Sequence, residues 1–301
     1  MLDLPFLDTY WQAILTTATI MAIAGVGLQV TIASGQFSVI HGALMGIAAY
    51  AAGAVAVDHR EWPMVVSLLV GMLIAGALGA VLSLLLLRLG GLFLGIATLA
   101  IGQGLSIVAA STFPGKAQGF VGAPLNTSLP VALLCLAAVL VVLGRLRSSR
   151  VGLMQLAGGA DDAAASSLGI SIVRNKIWGF TVGGAIAGLA GALNVQYLGL
   201  VTPVDLAFAQ ELNLLIYVIL GGMATPWGPV FGAYSVISAL EGLRVAQLDR
   251  YWILGLILTA VVIARPEGVL GRWPIGRGSL LLAVARAWRR RLAALIGPRV
   301  R

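Results

Sequence analysis

The sequence predicts an all-α, polytopic transmembrane helical bundle of about 8–10 spans with a short polar helix on its cytoplasmic face. Three observations predict it. Hydrophobic residues make up 59% of the 301 positions and charged residues only 10%, against about 25% charged in ordinary soluble domains. So few charges cannot cover a water-facing surface. The apolar residues also fall into runs near the ~20 residues that cross a ~30 Å hydrocarbon core. Finally, one segment, residues 145–176, is much more polar than its surroundings and is too long for a simple turn.

The runs give nine candidate spans, at about 12–33, 37–57, 63–87, 91–113, 130–144, 177–200, 209–223, 227–243 and 251–264. The shorter ones suit tilted or re-entrant elements packed inside protein. Two stretches, SGQFSVIHGALMGIAAY (34–50) and GLFLGIATLAIGQG (91–104), are rich in Gly and polar residues. They suit close helix packing or a broken helix lining a cavity. As domains, residues 1–271 read as the transmembrane unit and 272–301 as a basic amphipathic cytoplasmic tail.

Charge sets the orientation. Residues 265–301 hold nine Arg and one acid, Glu267, so the whole formal excess of +8 sits in the tail. That pattern belongs to a flank meeting anionic lipid headgroups, and it excludes a nucleic-acid face. With nine alternating spans, Arg88, Arg145, Arg147, Arg150, Arg174 and Lys176 join the tail on the cytoplasmic side. Only Arg60, Lys116, Arg244 and Arg250 fall outside. The N-terminus is then external, and a re-entrant short segment would reverse that end alone. The tail sequence AVARAWRRRLAALIG interleaves Leu, Ala and Trp with Arg, which suits a helix lying on the membrane surface or a plain basic anchor. MLDLPFLDTYW lacks the basic start of a cleaved signal peptide, so the first span is expected to be retained. Cys135, the one cysteine, excludes a disulfide framework.

Within 145–176, Asp161 and Asp162 precede the helix-forming run Ala163–Leu168 and suit a helix N-terminus. Gly169 supplies a stop of the C-cap kind. The plainer reading is an ordinary connecting helix. In the spans, Gln29, His41, Gln103, Asn194, Gln196, Glu211 and Asn213 must each find a partner or line a wet path. The plainer reading for each is an interhelical hydrogen bond averaging about 0.6 kcal/mol. Glu211 falls near an outer boundary, where solvent would meet it. The sequence has no Ser/His/Asp set, paired intramembrane carboxylates, HExxH or GxxxxGK[ST], so it predicts neither an enzyme nor a metal site.

The ordered series GQFSVIHGALMGIAAYAAG (35–53), GLFLGIATLA (91–100), GLM…DDAAASSLGISIVRNK (152–176), AGLAGALNVQYLGLVTP (187–203), VILGGMATPWGPVFGA (218–233) and ARPEGVLG (264–271) resembles the LivM-type permease subunits of branched-chain amino acid ABC importers. The likeness covers roughly residues 20–271. It implies that the polar loop is a coupling helix seated in a cytoplasmic ATPase subunit, with Gln155, Asp161, Asp162, Ala165, Leu168 and Gly169 at the contact. It implies a translocation path near Gln29, His41, Gln103, Asn194 and Gln196. The implied partners are a homologous permease subunit in a heterodimer, two ATP-binding subunits carrying ATP and magnesium, and a periplasmic solute-binding protein, all at a bacterial inner membrane. The loop departs from the family in one respect. Relatives carry charges before the Asp pair, where this chain has Gln155-Leu156-Ala157-Gly158-Gly159-Ala160. A stand-alone secondary transporter or channel is the alternative reading. It predicts inverted repeats and a denser ionisable midplane, and neither is apparent in the sequence.

Overall fold

The structure is a computed structural model that describes residues 8–112, 118–206 and 208–245, together with 255, 259 and 268–270. The span expected at 251–264 and the tail 272–301 lie outside the described residues, apart from the two positions 255 and 259. Ten α-helices are described: α1 Thr9–Ala33, α2 His41–Asp58, α3 Met64–Leu86, α4 Gly91–Thr112, α5 Leu129–Arg147, α6 Arg150–Ala160, α7 Asp162–Ser167, α8 Ile172–Leu198, α9 Phe208–Gly221 and α10 Trp227–Val245. Two short strands, β1 Phe120–Val121 and β2 Leu200–Val201, pair antiparallel with Phe120 opposite Val201. Six of the helices, α1–α5 and α8, are long and apolar enough to cross a membrane. The chain forms a polytopic helical bundle, as its sequence predicts.

Helix α8 is the axis, packing most extensively on α3, α1 and α2. Small residues permit this. A Cβ on Gly27 of α1 would lie 2.6 Å from the Gly183 carbonyl of α8, and one on Gly191 would strike the Met45 carbonyl of α2. Lipid tails are as apolar as leucine, so helices in a bilayer gain by bringing backbones close rather than by hiding apolar area.

The two ends of the bundle are distinct. One gathers the C-terminal ends of α1 and α5, the whole 145–176 segment and the α9–α10 turn, where Arg147 Nη2 donates to the Ala224 carbonyl at 2.7 Å. The other gathers the start of α1 and the ends of α8 and α10, through Tyr10 on Glu241 and Tyr197 on the Ala13 carbonyl. Charge makes the first end cytoplasmic, which puts the start of α1 on the external side.

The two Gly-rich stretches take different alternatives, the first a break and the second close packing. The span expected from residue 37 becomes helical only at His41, and residues 36–40 run non-helically back into the bundle. One backbone donor there is met by a side chain, Val39 N donating to Thr98 Oγ1 of α4 at 2.9 Å. The 91–104 stretch is instead one unbroken helix. Its glycines serve packing, with Gly95 against the Phe37 ring. Farther on, the chain leaves β2, makes a 3-10 turn at Pro203–Leu206 and buries Leu206 against Gly46 of α2. Helix α9 therefore begins inside the bundle and is only 14 residues long.

Candidate functional site

The polar segment folds as two helices where the sequence suggested one. Ser149 caps α6, accepting from Gly152 N, and the helix runs to Ala160. Asp161 then caps α7, its Oδ1 accepting from Ala163 N at 2.9 Å and Ala164 N at 3.0 Å. Asp162 pairs with Lys176 at 2.7 Å and ties α7 to the first turns of α8. Gly169, at φ +79°, ends the helix in the left-handed region that side chains with a Cβ avoid.

Helix α6 was missed because its Gly-Gly pair reads as a linker. Those glycines serve contact. A Cβ on Gly158 would meet the Asn175 side chain, and one on Gly159 would meet the Ala33 carbonyl at the end of α1. Gly35 lies against Gly159 from the other side, at 3.2 Å from its own ideal Cβ position. This accounts physically for part of the missing charge before the Asp pair. At Gly158 and Gly159 the close contacts leave no room for a side chain, whereas at the exposed Leu156 and Ala160 nothing in the structure explains the missing charge. Gln155, only 7% exposed, donates to the Val30 carbonyl at 3.2 Å, so it faces the bundle. Ala165 is likewise buried. Asp161, Asp162, Leu168 and Gly169 face outward. Leu168 is 79% exposed at the tip of α7, a large apolar side chain standing off the polar end of the molecule.

Behind the segment, polar side chains fasten the break between α1 and α2. Gln36 Nε2 donates to the Lys176 carbonyl at 2.7 Å. Thr31 gives its hydroxyl proton to the Gly179 carbonyl at 3.2 Å, which leaves His41 Nε2 to donate to Thr31 Oγ1 at 2.9 Å. Glu211 is no surface acid. It is 1% exposed, and its Oε1 accepts from Ala43 N at 3.0 Å in the first turn of α2. Helix α2 has no capping side chain of its own. A carboxylate from α9, 168 residues away in sequence, does that work.

The other path residues do not share one site. Gln29 donates to the Met223 carbonyl at 3.0 Å at the cytoplasmic end. Gln196 donates to Ser67 Oγ at 2.6 Å near the outer end. Gln103 Nε2 is buried without a hydrogen-bond partner among the described residues. Asn194 opens onto a recess of 120 Å³ between α1, α2, α8 and the 3-10 turn, together with Thr17, Asp205 and Gln210. Sequence reading passed over Asp205, although an acid two residues after a proline between two apolar runs marks a break. Among the described residues, no three His, Cys, Asp or Glu side chains gather as metal ligands would.

Residues 10–264 match the family described as the permease component of branched-chain amino acid transport systems. The chain belongs to that family. The high-affinity branched-chain amino acid permease protein LivM of Salmonella typhimurium is 33% identical over 157 residues, covering 52% of this chain and 36% of LivM. LivM of Escherichia coli is 34% identical over 152 residues, covering 50% and 35%. The match therefore spans about a third of the length of either LivM protein. The autoinducer 2 import system permease protein LsrC of an Enterobacter species is 27% identical over 269 residues, 83% of this chain and 77% of LsrC. No solved structure matches. This permease is a multi-pass protein of the bacterial inner membrane.

Proposed function

We propose that this permease is the membrane-spanning subunit of an ATP-driven ABC importer for a branched-chain amino acid or a similar small solute. Separate subunits bind ATP and magnesium and dock on α6–α7. A related permease completes the pore, and a periplasmic binding protein delivers solute. In this scheme the ATPases close on nucleotide, push the α6–α7 unit, and move α1 and α8 so that the path opens alternately to either side.

The single observation that carries the reading is the exposed Leu168 on a segment fixed to the bundle. Leu153, Met154 and Leu156 of α6 are exposed on the same segment, and apolar surface gathered at the polar end of a protein suits a partner groove. The fixing contacts at Gln155, Gly159 and Lys176 suit a part that transmits force. Asp161 and Asp162 hold the shape of α7, and Leu168 makes the principal contact.

The test is purification of the permease with its partner subunits, followed by solute uptake into proteoliposomes with and without ATP. Leu168→Asp is expected to weaken ATPase co-purification roughly tenfold, the scale of one interface anchor. ATP-dependent uptake should fall with it. Uptake by the permease alone, down an ion gradient, overturns the proposal.

A further inference from the structure

We propose that the recess beside Asp205 is a solute subsite on the outer half of the path, in which Asp205 receives the ammonium group of an amino acid. This site deepens the importer reading and rests on it for the direction of transport.

Four observations carry the assignment. Asn194 is only 8% exposed, and it lines the recess with the polar side chains Thr17, Asp205 and Gln210. Asp205 is the one charged side chain in the lining. Its Oδ2 is fixed by Thr202 N at 2.7 Å and Thr202 Oγ1 at 3.0 Å, while Oδ1 has no hydrogen-bond donor among the described residues. A carboxylate oriented by its own loop, in a recess holding neither Lys nor Arg, is an acceptor prepared for a mobile cation.

Gln210 supplies the complementary group. Its Nε2 donates to Met21 Sδ at 3.1 Å, a weak acceptor that a solute carboxylate would readily displace. The recess therefore offers an anion at one place and an amide donor at another, as a zwitterion requires. The remaining walls, Met21, Met45 and Leu198 among them, are adaptable apolar surface for a short aliphatic body. The volume of 120 Å³ is several times what one water needs. The recess also lies where the chain breaks between β2 and α9, and irregular backbone at that depth is tolerated where it lines a cavity.

Cys135 is the only cysteine, so Cys135→Ser followed by Leu198→Cys places a single reporter thiol at the rim. In membranes containing the full permease with its co-purifying subunits, alkylation of that thiol is measured with excess L-leucine, urea or L-arabinose. L-leucine should slow labelling roughly tenfold, while the two neutral solutes leave it unchanged. Asp205→Asn should abolish the protection, the loss of one charge-assisted hydrogen bond being worth roughly 10- to 100-fold in affinity. Asp58→Asn, an exposed acid away from the recess, should leave protection intact. If Asp205→Asn does not accumulate in membranes, Asn194→Ala gives the same reading, and Thr17→Cys reports from the opposite wall. No protection by L-leucine, protection that survives Asp205→Asn, or equal protection by urea or arabinose overturns the subsite. Labelling needs no ATP, so protection without ATP-driven uptake leaves the subsite and removes the importer reading. Uptake without protection does the reverse.

Discussion

Helices α1, α2 and α8 form the inside of this permease, and α3, α4 and α5 are its outer, more exposed helices. The most apolar window is 72% buried in each inner helix, but 39%, 28% and 22% buried in the outer three. Mean hydropathy runs the opposite way, at 1.8, 1.2 and 1.3 inside against 2.5, 1.9 and 2.5 outside. A soluble protein would order them in reverse. In a bilayer the greasiest helices face the solvent, and the core is built from glycine, alanine and hydrogen-bonded polar groups. The pattern explains why His41, Gln29, Gln196 and Glu211 are all inside.

Three experiments probe that contrast. The largest effect is expected for Gly191→Leu in α8, whose side chain would drive into the Met45 carbonyl. Replacing a helix-interior glycine gains about 1 kcal/mol of propensity, but overpacking backbone costs roughly 1–3 kcal/mol or more. The permease should fail to accumulate in membranes. On the outer face, Leu73→Ala, at a position 70% exposed, should change thermal stability in detergent by no more than about 0.5 kcal/mol. Equal losses at both positions would end the distinction between the two layers.

Next is Glu211. Glu211→Ala strips the acceptor from Ala43 N and is expected to cost roughly 1–3 kcal/mol, the penalty of an unmet buried donor. Glu211→Gln keeps an acceptor at the same reach and should recover most of it. Thermal unfolding of the three proteins checks this, and an Ala variant as stable as wild type would show that α2 needs no cap from α9. The smallest effect is expected at Gln196–Ser67, which joins the inner α8 to the outer α3. A double-mutant cycle with Gln196→Leu and Ser67→Ala should return a coupling near 0.6 kcal/mol. A coupling several times larger would mean that the two layers are welded rather than merely fastened.

The spans were legible because their length and apolarity are set by bilayer thickness, a constraint each segment meets alone. The α7 helix was legible for a similar local reason, its cap acid and stop glycine being adjacent in sequence. What escaped reading depends on partners far along the chain. Glu211 looks like a boundary acid until the buried turn at Pro203–Leu206 carries it to the start of α2. Gly158 and Gly159 look like a linker until Ala33 and Asn175 are known to lie against them. The break at 36–40 was half legible, since its glycine and polar residues signalled irregularity without showing where the helix resumes. Asp205 was overlooked because a lone acid between apolar runs looks like an external loop.

The contact between Gly159 and the Ala33–Gly35 bend has a mechanical meaning. Helix α6 is about 16 Å long at 1.5 Å per residue, and its bearing glycines sit at the end that leads directly into α7. Backbone bearing on backbone has no side-chain rotamers to give way, so the joint has little backlash. With an ATPase docked as proposed, a displacement at Leu168 would reach the point where α1 ends and the chain turns back toward His41 through this contact. In the proposed importer the compliance would then lie at the non-helical residues 36–40, and lengthening or stiffening that segment would change the stroke while leaving the proposed dock and recess in place.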